Sequence, residues 1–123
     1  MKRILVVDDA ATVRLYHRNI LESSGYTVDE AVNGIEALEK TLQMQFDLYI
    51  VDVNMPKLDG YGFLEELRSH DLPQAPAMMV STEAGARDRI RALSVGANLY
   101  LVKPVKPEEL LSHARLLLGE AET

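Results

Sequence analysis

The sequence predicts an α/β fold, a doubly wound parallel sheet made from five (βα) units. Three observations carry this prediction. Short apolar runs rich in Val and Ile recur along the chain, each is followed by a segment with a 3.6-residue apolar period, and turn and cap residues punctuate the boundaries. The run at residues 4–7 is unbroken, as expected for a strand covered on both faces of a parallel sheet. Val13, Tyr16, Ile20 and Leu21 then give a first helix, closed by Gly25. Residues 26–32 are more polar and alternate, which suits an edge strand. Asn33-Gly34 opens a second helix striped by Ile35, Leu38 and Leu42. Residues 48–51 form the third run, and Phe63, Leu64 and Leu67 mark the third helix. Residues 77–80 are the fourth run, with Ile90 and Leu93 in a helix that Gly96 closes. Residues 99–102 are the fifth, followed by Leu110, Leu111, Ala114, Leu117 and Leu118. Pro107 starts that last helix, with Glu108 and Glu109 in its first turn. Right-handed crossovers then favour an open sheet, and the flavodoxin-like strand order 2-1-3-4-5 is the common five-strand solution.

The 123 residues fit one domain, expected to span 1–123, without repeat, linker or low-complexity stretch. Hydrophobic residues are 47% and charged residues 26%, the mixture of a soluble globular protein. Lys plus Arg number 13 against 19 Asp plus Glu, a net charge of −6, which argues against a broad basic face for nucleic acid or anionic membrane. No Cys occurs, so disulfides, thiol nucleophiles, Fe–S clusters and thiolate zinc sites are all excluded. The apolar run after Met1-Lys2-Arg3 is far short of a secretion signal or a spanning helix. A cytoplasmic protein without membrane insertion is expected.

In a doubly wound sheet the working crevice lies beyond the carboxyl ends of the strands. There the sequence places Asp8-Asp9 after strand one, Asp52 after strand three, Ser81-Thr82 after strand four and Lys103-Pro104 after strand five. Taken singly these are ordinary: a first-turn acid pair, a turn aspartate, a hydroxyl cap and a loop lysine. Together they gather three carboxylates, a hydroxyl and an ammonium on one rim. Carboxylates crowded together repel and stay ionised only beside a cation, and hard oxygen ligands on a rigid sheet suit Mg²⁺. The rim therefore reads as a site for Mg²⁺ and something anionic.

With these residues in place, the chain resembles the receiver domains of two-component response regulators, in particular the single-domain chemotaxis (CheY-like) type. The resemblance rests on Ile4-Leu5-Val6-Val7-Asp8-Asp9, on Asp52-Val53-Asn54-Met55-Pro56 with Asp59-Gly60, and on Gly96-Ala97-Asn98 leading to Lys103-Pro104. It implies that Asp52 is the phosphoacceptor, taking a phosphoryl group from a phosphohistidine of a sensor histidine kinase. It implies that Asp9, Asp52 and the backbone carbonyl of Asn54 bind Mg²⁺ directly, with Asp8 acting through a bound water. Ser81 falls where the family carries Ser or Thr and would hydrogen-bond a phosphoryl oxygen, while Lys103 would pair with its charge. The Lys103-Pro104 peptide would be cis, as in the family. Such a protein promotes only its own phosphorylation and dephosphorylation and is not otherwise an enzyme.

The resemblance also implies a switch in which Ser81 moves toward the phosphate and Tyr100 turns inward. The surface read by partners would be the fourth helix, strand five and the fifth helix, where an effector such as a flagellar motor switch component or a phosphatase would dock. Arg87, Arg89 and Arg91 make a local basic patch on that fourth helix, or else a solvated face balanced by Asp88 and Glu83. Asn54 and Glu83 occupy the positions that tune phosphate lifetime and match the chemotaxis type. Thr82 departs from the usual Ala or Gly, adding bulk over the phosphate.

An aspartate-nucleophile phosphatase would want an acid two residues after its nucleophile, where Asn54 stands. No phosphate-binding glycine loop of the nucleotide type occurs, and His17, His70 and His113 lack metal-ligand spacing, so surface or helix positions explain them. A stand-alone response regulator is expected, since few residues follow Leu118. The alternative is a receiver excised from a longer regulator with a DNA-binding or enzymatic output domain.

Overall fold

A computed structural model describes residues 1–120; the last three positions of the expected domain lie outside them. Along the chain run β1 (Arg3–Val7), α1 (Ala11–Ser23), β2 (Thr27–Ala31), α2 (Gly34–Gln43) and β3 (Leu48–Asp52). They are followed by α3 (Gly60–Ser69), β4 (Ala77–Ser81), α4 (Ala86–Ser94), β5 (Leu99–Val102) and α5 (Pro107–Leu117). All strand pairs are parallel and the sheet order is β2-β1-β3-β4-β5. The expected fold and strand order are both observed.

The unbroken apolar runs have a direct cause. Successive strand residues point to opposite faces, and both faces are covered. Leu5, Val7, Tyr49, Val51, Ala77 and Met79 face one layer, packed with Ala37 of α2, Phe63, Leu64 and Leu67 of α3 and Ala92 of α4. Ile4, Val6, Leu48, Ile50, Met78 and Val80 face the other, packed with Leu21 of α1 and with Leu110 and Ala114 of α5. The alternating segment forms the edge strand β2, in which Thr27, Asp29 and Glu30 stay half-buried. Asn33 caps α2 by accepting the N–H of Glu36, and Gly25 and Gly96 close α1 and α4 at φ of 93° and 110°.

Two helical stripes differ from expectation. On α2, Ile35 and Leu42 are exposed, and the buried residues are Gly34, Ala37 and Thr41. A Cβ at position 34 would stand 2.6 Å from the Leu58 carbonyl oxygen, so this helix comes close through small residues and its large ones move to the flank. On α4, Ile90 and Leu93 are exposed and Ala92 alone is buried. Tyr16 on α1 also lies exposed, its hydroxyl donating to the Val105 carbonyl at 3.1 Å.

Candidate functional site

The register of β1 and β3 pairs Val7 with Val51, so the residues that follow, Asp8 and Asp52, leave the sheet side by side. Asp8, Asp9 and Asp52 each offer a carboxylate oxygen, and these oxygens all lie within 4.8 Å of one another. Asp8 and Asp52 are buried and Asp9 is exposed. Lys103, carried in from the end of β5, places its ammonium 2.9 Å from Asp8 Oδ2 and 3.0 Å from Asp52 Oδ1. Asp8 is therefore no helix cap. Its Oδ1 accepts the Ala10 N–H at 2.9 Å, its backbone carbonyl accepts Arg14 Nη1 at 2.7 Å, and its other oxygen is held by Lys103.

Burial is the largest influence on Asp52 and pushes its pKa above the ordinary carboxylate value. Asp8 and Asp9 push the same way, and Lys103 opposes them. For Lys103, burial works against the charge, but the bonds to Asp8 and Asp52 outweigh it and hold the ammonium's pKa above its usual value. Of the three clustered carboxylates, one ammonium pairs with two, Asp8 and Asp52. That uncompensated set of hard oxygen donors fits a small divalent cation.

The loop after β3 is tightly shaped. Lys57 sits at φ 70°, a left-handed conformation that costs a non-glycine residue energy. Asp59 caps α3 by accepting the Gly62 N–H at 2.8 Å. A Cβ at Gly60 would meet the Asp52 carbonyl oxygen at 2.3 Å and Met79 Cε at 2.8 Å. Gly60→Ala must therefore displace the backbone of Asp52 itself. The expected cost is about 3 kcal/mol, read as a lower urea midpoint.

Ser81 ends β4 buried, with its hydroxyl accepting the Glu83 N–H at 3.1 Å, while Thr82, Glu83 and Asn54 are exposed around the rim. Tyr100 is buried, and its hydroxyl donates to the Glu83 carbonyl at 2.7 Å, tying β5 to the segment after Ser81. The Arg89 guanidinium lies 5.3 Å from the Tyr100 ring centre, and that of Arg91 lies 4.1 Å from the Tyr61 ring centre. These two exposed arginines therefore rest against aromatic rings. The Lys103-Pro104 peptide is cis.

His17 lies on a helix, one of the two placements expected for it, but not at the surface: it is buried on α1 close to Asp8 and Lys103. Nothing in its spacing from other residues signals this, because only the packing of α1 on the sheet sets which turn of the helix faces inward. Among the described residues no helix is long and apolar enough to cross a membrane.

Comparison with known proteins agrees with this fold. Residues 4–115 match the family described as response regulator receiver domain. The chain is 41% identical over 121 residues to a probable transcriptional regulator, ycf27, of Cyanophora paradoxa, covering 98% of this chain and 50% of that protein. It is 35% identical over 119 residues to the transcriptional regulatory protein ResD of Bacillus subtilis (strain 168), covering 97% and 49%. The chain thus spans about half the length of these curated relatives. Among solved structures it is similar to the chemotaxis protein CheY4 of Vibrio cholerae, with TM-score 0.90 and 36% identity over 95% of this chain and 98% of that one.

Proposed function

This chain belongs to the response regulator receiver domain family, and on that footing we propose that Asp52 accepts a phosphoryl group from the phosphohistidine of a sensor histidine kinase. The observation that carries the reading is the Lys103 ammonium bridging Asp8 and the buried Asp52 inside a cluster of three carboxylates. An Asp52 carboxylate oxygen attacks phosphorus in line; the new O–P bond forms as the P–N bond breaks, and the electron pair leaves with the donor imidazole. Such a transfer depends on positioning and on neutralising the phosphoryl oxygens more than on a general base. Lys103 supplies one positive charge at fixed distance. Asp9, Asp52 and the Asn54 backbone carbonyl would hold Mg²⁺, with Asp8 acting through a water, and the bound cation would supply the rest of the neutralisation. Ser81 would donate its hydroxyl hydrogen to a phosphoryl oxygen, a role left open by its present bond, in which its oxygen accepts the Glu83 N–H. The acyl phosphate is labile, and Asn54, Thr82 and Glu83, exposed at the rim, set how water reaches it.

Output runs through Ser81, Glu83 and Tyr100 to α4, β5 and α5, where an effector protein binds. The hydrogen bond from Tyr100 to Glu83 supports this route because it joins the rim to the α4 and β5 surface. A chemotaxis role in the cytoplasm is supported by the likeness to the chemotaxis protein CheY4 of Vibrio cholerae, at 36% identity. A second reading, a receiver unit within a longer regulator, is favoured by the length of ycf27 and ResD, each about twice the matched span.

The test is to incubate the protein with acetyl phosphate, with and without Mg²⁺, and weigh the intact wild type beside Asp52→Asn. A Mg²⁺-dependent gain of one phosphoryl group in the wild type, absent from the variant, is the expected result. No adduct with Mg²⁺ present, under conditions that modify a known receiver, would overturn it.

A further inference from the structure

The backbone that carries the two adjacent acids is gripped from outside the acidic cluster. β1 and β2 run together as far as Val7 and Ala31, and the Asp8 N–H still donates to the Ala31 carbonyl at 3.1 Å. The Asp8 carbonyl lies past this last rung. Arg14 of α1 takes the place of a strand partner, donating to that carbonyl from Nη1 at 2.7 Å. The same guanidinium donates from Nε to Glu30 Oε1 on β2 at 2.8 Å. Glu30 is a firm anchor, because its other carboxylate oxygen pairs with Arg18 and its backbone carbonyl accepts the Lys40 ammonium. Burial raises the Glu30 pKa, but the two arginines outweigh it and hold the carboxyl below its usual value. One planar guanidinium thus spans β2 and the end of β1 with two charge-assisted bonds. Its side chain is 14% exposed, against 37% for Arg18.

We propose that Arg14 is a positioning residue for the cation site: by clamping the Asp8 carbonyl to β2 it fixes the peptide that joins Asp8 to Asp9, and so aims the Asp9 carboxylate. The inference rests on the reading of Asp9 and Asp52 as Mg²⁺ ligands and deepens it. The Asp8 carbonyl and the Asp9 nitrogen belong to one rigid plane, so a bond that holds the first sets where the Asp9 side chain leaves the backbone. Asp8 has restraints of its own, since the Ala10 N–H and Lys103 hold its two carboxylate oxygens. Asp9 is exposed, and its direction depends on that peptide. Mg²⁺ tolerates little departure from octahedral geometry, so a small rotation there costs affinity. The charge of Arg14 works the other way, because a guanidinium repels a nearby cation. Removing the charge alone would tighten Mg²⁺ binding, whereas losing the clamp weakens it, so the two effects differ in sign.

The test is a calorimetric titration of the full chain with Mg²⁺ alone, in the wild type, Arg14→Met, Arg14→Gln and Arg18→Met. Met keeps the apolar stem, and Gln keeps a polar end too short to span Glu30 and Asp8, so either variant reports the clamp if the other does not fold. Both are expected to bind Mg²⁺ about tenfold more weakly than the wild type, the lower end of what a residue supporting a metal ligand from outside the coordination shell contributes. Arg18→Met breaks ion pairs with the same Glu30 and with Glu22 but touches neither acid, and should bind Mg²⁺ as the wild type does. Binding that is unchanged or tighter in the Arg14 variants overturns the proposal and leaves the reading of the carboxylates standing. Equal weakening in Arg18→Met, the mark of a general loosening of α1 on β2, overturns it as well. A wild type that binds no Mg²⁺ overturns the proposal and the metal-site reading together.

Discussion

Replacing Lys103 with Met is expected to lower the rate of phosphorylation by acetyl phosphate about 10²- to 10³-fold, the usual consequence of removing one preorganised charge from a developing oxyanion. The same change strips the counter-charge from two buried carboxylates, Asp8 and Asp52, whose side chains are 2% and 7% exposed. Breaking a buried pair by deleting one partner costs about 3–5 kcal/mol. Urea titration at neutral pH should show this loss, and it should shrink in acid as the orphaned Asp52 carboxylate protonates. The pH dependence of the wild type has a definite sign. Lys103 has a folded-state pKa above its unfolded value, so its stabilising contribution is complete below the unfolded pKa and disappears as pH rises through the folded one. Met keeps the length and apolar stem of the side chain, so a loss seen with Met reports the charge and not the packing.

The second large effect is that of the cation. Mg²⁺ added to the wild type is expected to raise the urea midpoint, by about 2.7 kcal/mol of stability at a hundredfold excess over its dissociation constant. The reason is the same uncompensated charge: Asp52 binds its proton more tightly in the folded state than in the unfolded chain. The stability tied to that proton is present below the unfolded pKa and is lost as pH rises through the folded one, leaving ionised Asp52 as a cost at neutral pH. A divalent cation removes that cost, and so does deletion of the charge. Asp52→Asn is therefore expected to be more stable than the wild type without Mg²⁺ and to respond less to it. A wild type whose urea midpoint ignores Mg²⁺ would contradict the assignment of the carboxylates as its ligands.

What was legible in the sequence follows from how each feature is encoded. Strands buried on both faces leave a mark no other element leaves, so residues 4–7, 48–51 and 77–80 announced the parallel sheet, and the polar alternation of 26–32 announced its edge. The rim was legible because a doubly wound sheet delivers whatever follows each strand to one edge. Asp8, Asp9, Asp52, Ser81 and Lys103 needed only that rule to be brought near one another. Helix phase was less legible. The large side chains of α2 and α4 suggested stripes at Ile35 and Leu42 and at Ile90 and Leu93, but Ala37 and Ala92 face the sheet, since a small residue lets a helix approach more closely than any stripe of leucines. The arginines of α4 read as either a basic patch or a solvated face, and neither reading included the rings of Tyr100 and Tyr61 on which Arg89 and Arg91 rest, partners 11 and 30 residues away that no local pattern connects to them. His17 was invisible for the same reason, since its neighbours come from the ends of β1 and β5.

The most direct test of the central role proposed here, Asp52 as phosphoacceptor, is to trap the adduct chemically. Protein treated with acetyl phosphate and Mg²⁺ is reduced with borohydride, which converts an aspartyl phosphate to homoserine, then digested and sequenced by mass spectrometry. The account predicts homoserine at position 52 alone, and none when Mg²⁺ is withheld. Homoserine at position 8 or 9, or none anywhere in a protein that has gained phosphoryl mass, would contradict it.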